Sequence, residues 1–200
     1  MSLPSPETSR KHLHTRSIRV QAYERDDGLV DLDAELIDFK GYDFERTGGL
    51  TVKAGDYVHH MLLRITVDDA YTIVDAHADY AASPYLTCAT ITPEYRDLIG
   101  MSLVKNFRGQ VKARFGRTAG CTHMTELSLV LPTAAIQANA GRRRKQQAED
   151  PTQRPFQLDG CHALSTKGPE VLRFYPQWYT GGRDETQDEA VTADSSSASS

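Results

Sequence analysis

From Val30 to Phe39 the sequence alternates with a period of two, placing Val30, Leu32, Ala34 and Leu36 against Asp31, Asp33 and Glu35. A strand with one apolar and one acidic face is stable only in a sheet covered on one side and open on the other. Asp26-Asp27-Gly28 marks a turn just before it, so Ser17 to Glu24 and Leu29 to Phe39 read as a β-hairpin. A second hairpin, Tyr57 to Val67 and Thr72 to Tyr80, brackets Asp68-Asp69-Ala70. In its first strand Met61, Leu63, Ile65 and Val67 share a face, with His60, Leu62, Arg64 and Thr66 opposite. In its second, Val74, Ala76 and Ala78 are expected on one face, and Ile73, Asp75, His77 and Asp79 on the other. Aligned polar faces would bring His60, Arg64 and His77 to several carboxylates, as a solvated ion-paired face or as a site.

Beyond Pro84 the period lengthens to that of helices. Pro93 to Ile99 predicts a short helix with Thr92 as N-cap, ending at Gly100. Leu103, Phe107, Val111 and Phe115 predict a second, broken by Gly116. The third spans Thr122 to Ala140 with Met124, Leu127, Leu131, Ala134, Ala135 and Ala138 on its stripe. Pro132 should kink it near Ser128, and Gly141 should stop it. Residues 142–155 read as a loop, with the basic run Arg142-Arg143-Arg144-Lys145 as a solvated helix end. In the closing segment 156–179, Phe156, Phe174, Tyr175, Trp178 and Tyr179 are expected to cover the core. The expected fold is α+β: an antiparallel sheet from two hairpins with about three helices on one face, forming a single domain over 16–180. A disordered arm (1–15) and a disordered acidic, Ser-rich tail (181–200) flank it.

Charge narrows the partners. The tail holds five of the 27 acidic groups and one of the 23 basic ones, so the body is neutral and nucleic acid is not an expected partner. No apolar run approaches the ~20 residues needed to span a bilayer, and no membrane partner is expected. Met1 to Arg16 lacks the apolar core of a secretory signal, which makes the cytoplasm the expected location. Three cysteines without a signal favour free thiols or ligands over disulfides.

Chemistry concentrates at Gly120-Cys121-Thr122-His123-Met124-Thr125-Glu126-Leu127, which opens the long helix. A thiol and an imidazole there sit beside the positive end of a helix dipole, where a thiolate or a metal ion is favoured. With Thr122 as N-cap, Cys121 is a candidate nucleophile or metal ligand and His123 a candidate base or ligand. Cys88, in the connection after the fourth strand, is the third candidate catalytic residue. Cys161 and His162 are adjacent and join the possible ligands. No CxxC pair, GxGxxG after a strand, Walker loop, GxSxG or HExxH occurs. The chain therefore has no sequence support for a zinc finger, a nucleotide cofactor or a familiar hydrolase triad.

Two resemblances follow. Arg25-Asp26-Asp27-Gly28-Leu29, Asp38-Phe39-Lys40, His60-Met61, Pro84-Tyr85, the Gly120–Leu127 segment and Cys161-His162-Ala163-Leu164 resemble the signature of an uncharacterised bacterial family, a domain of unknown function, over roughly 16–179. Residues 54–140 are also similar to the NifU/IscU-type iron–sulfur scaffold proteins. The likeness rests on Gly55-Asp56, Ile73-Val74-Asp75-Ala76, Leu98-Ile99-Gly100-Met101-Ser102-Leu103, and Cys88 and Cys121 in ligand-like places. It implies a scaffold-like core with Cys88, Cys121 and Asp56 as ligands. Ala54 stands in place of that family's first cysteine, and Gly120 in place of the histidine before its last. His123, His60, Cys161 and His162 are the side chains that would complete a different set, holding zinc or iron. The expected function is a cytoplasmic small-molecule enzyme with a metal- or thiol-dependent Cys/His site. The alternative is a non-catalytic metal or sulfur accessory protein serving a partner enzyme, and a purely structural module is the third possibility.

Overall fold

The computed structural model describes residues 3–150 and 152–182. The chain divides into two compact units, one ending at Ala140 and one beginning at Gly141. In the first, the strands are β1 (His14–Glu24), β2 (Val30–Lys40), β3 (Phe44–Glu45), β4 (Thr51–Val52), β5 (Tyr57–Val67) and β6 (Ile73–Ala82). Four of them form an antiparallel sheet in the spatial order β1-β2-β5-β6, and β3 and β4 pair as a small ribbon. Gly28, at φ +84°, makes the turn between β1 and β2, a conformation that only glycine takes at no steric cost.

One face of the sheet carries Leu32, Ala34, Leu36, Met61, Leu63, Ile65, Val67 and Ala76, all buried. Over it lie α1 (Phe107–Phe115), α2 (Thr122–Ser128) and α3 (Leu131–Ala138). Phe107, Val111, Phe115, Met124, Leu127, Leu131 and Ala135 from these helices join the strands in one apolar cluster. Each large aliphatic side chain so buried stabilises the fold by about 1.5–3 kcal/mol before entropy is counted. The α+β architecture of two hairpins under helices is as expected. Among the described residues no helix is long and apolar enough to cross a membrane.

The details differ where backbone hydrogen bonding decides. In β6 the register jumps from Val67↔Ile73 to Thr66↔Asp75, leaving Val74 as the extra residue of a bulge. The bulge turns Ile73 inward and leaves Val74 exposed, which reverses the expectation for these two while keeping Ala76 on the buried side. Pro93 does not open a helix. It lies within a succession of 3-10 turns, Cys88–Leu98, capped at Thr87 rather than Thr92, where its missing N–H breaks no α-helical ladder. Pro132 ends one helix and starts another instead of kinking a continuous one: α2 stops at Ser128, and α3 takes the proline in its first turn. Gly141 does not stop a helix, and 142–155 is not all loop, because α4 (Ala140–Glu149) contains the whole basic run. In the second unit, which also carries α5 (Pro169–Phe174), Phe156 and Phe174 are exposed while Leu158 and Val171 are buried. The aromatics there are thus not simply a core cover, and Arg143 sits over the Phe156 ring at 4.7 Å. From residue 183 the acidic tail lies outside the described residues.

The start of α2 is held from the side. Its N-cap is Cys121, with Thr122 the first helical residue, and no side chain of the helix itself caps it. Tyr95, fully buried and stacked on Phe115 with ring centroids 4.6 Å apart, supplies the missing partner. Its hydroxyl accepts from the Cys121 N–H at 3.0 Å and lies 3.1 Å from the Cys121 carbonyl and 3.2 Å from the Thr125 hydroxyl. Gly120 lets the chain pass: a Cβ there would come within 2.6 Å of the Phe115 carbonyl oxygen. Tyr95→Phe should therefore destabilise the protein by about 1–2 kcal/mol, as loss of a buried hydrogen-bonding cap does. Thermal melting checks this, with a Tm drop of roughly 2–8 °C expected for a chain of this size; an unchanged Tm would show that the contact contributes nothing.

Candidate functional site

The apolar stripes of three adjacent strands all turn polar at the same end of the sheet. On edge strand β1 the half-buried Val20 and the exposed Ile18 share a face with Arg16 and His14; on β2 Leu36 is followed by Asp38; on β5 Met61 is preceded by His59. The register sets Arg16 opposite Asp38 and Asp38 opposite His59, so the three form one row across the sheet. A register shift between Asp38 and Phe39 skips Val58, placing a bulge in β5 directly beside the row. From above, α2 contributes His123 and Glu126, which share a helix face at i, i+3.

Asp38 is the hub. It is only 2% exposed. Arg16 grips it with both arms of its guanidinium, at 2.8 Å to Oδ1 and 2.7 Å to Oδ2. His14 Nε2 lies 3.1 Å from Oδ1 and His59 Nδ1 lies 2.9 Å from Oδ2. The third arm of Arg16 reaches Glu126, so one guanidinium ties the sheet to α2. The His123 ring lies on the His59 ring with centroids 4.0 Å apart. Among the described residues, Asp38, His59 and His123 are the group of three whose donor atoms converge, all within 4.8 Å of one another.

Burial and charge set the protonation states. Burial works to raise the Asp38 carboxyl, but the Arg16 hydrogen bonds and charge, with His59 and His14 behind them, outweigh it and hold it below the ordinary carboxylate range. Burial, followed by the neighbouring His123, pushes His59 down despite Asp38. Burial and then Arg16 do the same to His123. Asp38 is therefore an anion at neutral pH while both imidazoles are neutral and keep a lone pair.

The sequence candidates distribute as follows. His123 enters the cluster. Cys121 is half-buried against the apolar core, and Cys88 opens the 3-10 segment, also half-buried. Burial first, then the Cys121 thiol, push the buried Tyr80 hydroxyl above its usual range, with Tyr95 and Cys88 as smaller charge effects. Asp56 closes the turn before β5, accepting from the Lys53 N–H at 3.2 Å. His60, next to His59, points to the opposite face of the sheet and pairs with Glu35 at 2.8 Å. There Arg64 pairs with Asp33 at 2.6 and 2.7 Å, beside His77 and Asp79, in an open groove of 250 Å³. Exposed pairs of this kind contribute little stability. Cys161 and His162 are exposed in the second unit.

Sequence reasoning missed His14, Arg16, Asp38, His59 and Glu126 as site residues. The available signal was a buried-face stripe ending in charge on three strands at once. It is lost when β1 is begun at Ser17, and the other two stripes are read no further than Leu36 and Met61.

These features define a class: an α+β domain with a buried carboxylate at one sheet end, gripped by arginine and presenting two neutral histidines. The chain belongs to the family described as protein of unknown function (DUF2889), whose model matches residues 14–137. That span runs from His14 to the last turns of α3 and includes every member of the cluster, together with Cys88 and Cys121, but not Cys161 or His162. No curated protein and no solved structure matches the chain.

The protonation states have a measurable consequence. Unfolded histidines titrate near 6.5, whereas His59 and His123 titrate lower in the fold. As pH falls through about 6.5 the unfolded chain binds more protons than the native one, so stability drops; Asp38 continues the loss as pH falls below about 3.9. Tm should be lower at pH 5.5 than at pH 7.5, and the His59→Gln/His123→Gln double variant should show a smaller difference. An equal difference in both proteins would contradict the assignment.

Proposed function

We propose that this chain is a small-molecule enzyme whose reaction centre is the His59–His123 pair on Asp38. The observation that carries this reading is a buried, ionised carboxylate orienting one of two neutral imidazoles in contact, their rings tilted by 36°. The hydrogen bond from His59 Nδ1–H to Asp38 leaves the lone pair of Nε2 directed away from the carboxylate. Arg16 keeps Asp38 charged, so the carboxylate orients the ring without taking its proton. His123 at 4.0 Å raises the cost of a second proton, so the pair takes up one charge at a time. Such lone pairs serve to activate a water molecule or a substrate hydroxyl. His14, with its side chain 45% exposed, lies at the solvent side, from which a small substrate would enter.

A second reading, a metal or sulfur accessory protein in the manner of the NifU/IscU-type scaffolds, draws on the two half-buried free cysteines, Cys88 and Cys121. It does not use Asp38, and the two readings separate by mutation. Turnover found by incubating the protein with a metabolite library and reading products by mass spectrometry should fall by about 10²–10⁴-fold in His59→Gln, the usual contribution of a positioned acid–base group. It should persist in Cys121→Ala. Unchanged turnover in His59→Gln, or turnover lost only in Cys121→Ala, would overturn the proposal.

A further inference from the structure

We propose that Asp38, His59 and His123 together bind one first-row divalent transition-metal ion, of the zinc or iron(II) type. This inference rests on reading the same cluster as the reaction centre and names the cofactor that centre uses.

Three of the seven histidines in the chain, His14, His59 and His123, gather around a single buried carboxylate. Concentration of that kind is not what stability alone requires, since one arginine already neutralises Asp38. Two imidazoles and one carboxylate are a donor set suited to zinc or iron(II) and poorly suited to calcium or magnesium, which take oxygen ligands. The spacing also fits. A metal about 2.0–2.1 Å from each of two donors sets them roughly 2.9–3.4 Å apart in octahedral or tetrahedral geometry. His59 Nδ1 and Asp38 Oδ2 are 2.9 Å apart. One donor atom from each of the three side chains lies within 4.8 Å of the other two, a gap that side-chain torsions can close.

The surroundings are those of a supported metal site. Arg16 fixes the carboxylate through hydrogen bonds to both of its oxygens and is itself fixed by Glu126. Metal entry replaces the His59–Asp38 hydrogen bond and the imidazole proton passes to Nε2, so in the metal-loaded protein the basic role that the His59 Nε2 lone pair has in the metal-free one would fall to metal-bound hydroxide. The ligands come from two central strands and the helix packed on them, so the site needs no ordering of a loop. A divalent ion and Arg16 face only two carboxylates, Asp38 and Glu126, and one positive charge stays unbalanced. Three protein ligands leave coordination positions open, and the excess charge favours an anion there, either hydroxide from bound water or the carboxylate or phosphate of a small substrate.

Titration of the metal-stripped full chain with zinc, followed by calorimetry, tests the site. One equivalent should bind, and zinc should raise Tm. His59→Gln and His123→Gln should each weaken binding at least about tenfold, a loss that removal of an outer-shell partner alone can produce. His60→Gln, on the other face of the sheet, and Cys121→Ser should bind as the parent does. Cobalt(II) should give visible bands without the near-ultraviolet charge-transfer absorption of a thiolate ligand. Circular dichroism melts of both histidine variants verify that they fold, and the cobalt spectrum of the unmutated chain decides independently of any variant. Absence of stoichiometric zinc binding, binding unaltered in both histidine variants, or a thiolate band would overturn the proposal. Turnover by the metal-free protein that still requires His59 would remove the metal and leave the reaction centre standing.

Discussion

The Arg16–Asp38 pair is the contact on which the site depends. A carboxylate this deeply buried is costly to keep charged, and only a partner with matched geometry offsets the cost. Arg16 meets that requirement by gripping both oxygens, and its remaining arm holds Glu126 on α2. One side chain thereby sets the charge of the hub and the docking of the helix that carries His123. Removing Arg16 would leave the buried Asp38 carboxylate with only His14 and His59 as partners and would free Glu126 from the sheet. Stability and site geometry are in this sense a single property of the molecule.

The break at Pro132 has a comparable local role. An uninterrupted helix from Thr122 to Ala140 would have to lie straight across the sheet. Division at Ser128 instead gives α2 seven residues whose orientation is decided by its own contacts. Met124 and Leu127 bury into the core, Tyr95 holds the N-cap residue Cys121, and His123 and Glu126 are left to meet the polar end of the sheet. The direction of the histidine is a product of that packing.

Most of the sheet was legible in the sequence because period-two alternation reports directly on which face is covered. Both hairpins and the buried stripe of β5 follow from it. The Val74 bulge was not legible, since nothing in Thr72-Ile73-Val74-Asp75 marks which residue is left unpaired. The helical half was read less well: Pro93 and Pro132 are strong signals of a boundary but weak signals of what lies on each side. At the site, His123 was found through its place at a helix start. Asp38 and His59 were not, because a charged residue at the end of an apolar stripe looks like the edge of the strand until its neighbours in space are known. The adjacency of His59 and His60 deepened the difficulty, as one faces the core and the other faces Glu35.

That adjacency has a consequence for the evolution of the strand. Were β5 to slip by one residue against β2, His60 would come to face Asp38, so the loss of one imidazole would not by itself disfavour the shifted pairing. The guard against the slip lies two pleats further along β5, at Arg64. In the shifted register Arg64 would be driven into the apolar layer opposite Ala34, while Met61, Leu63 and Ile65 would be turned out to water. The ion pair of Arg64 with Asp33 on the open face therefore matters less for the energy it adds than for the error it forbids. A solvent-facing charge keeps the correct histidine in the interior.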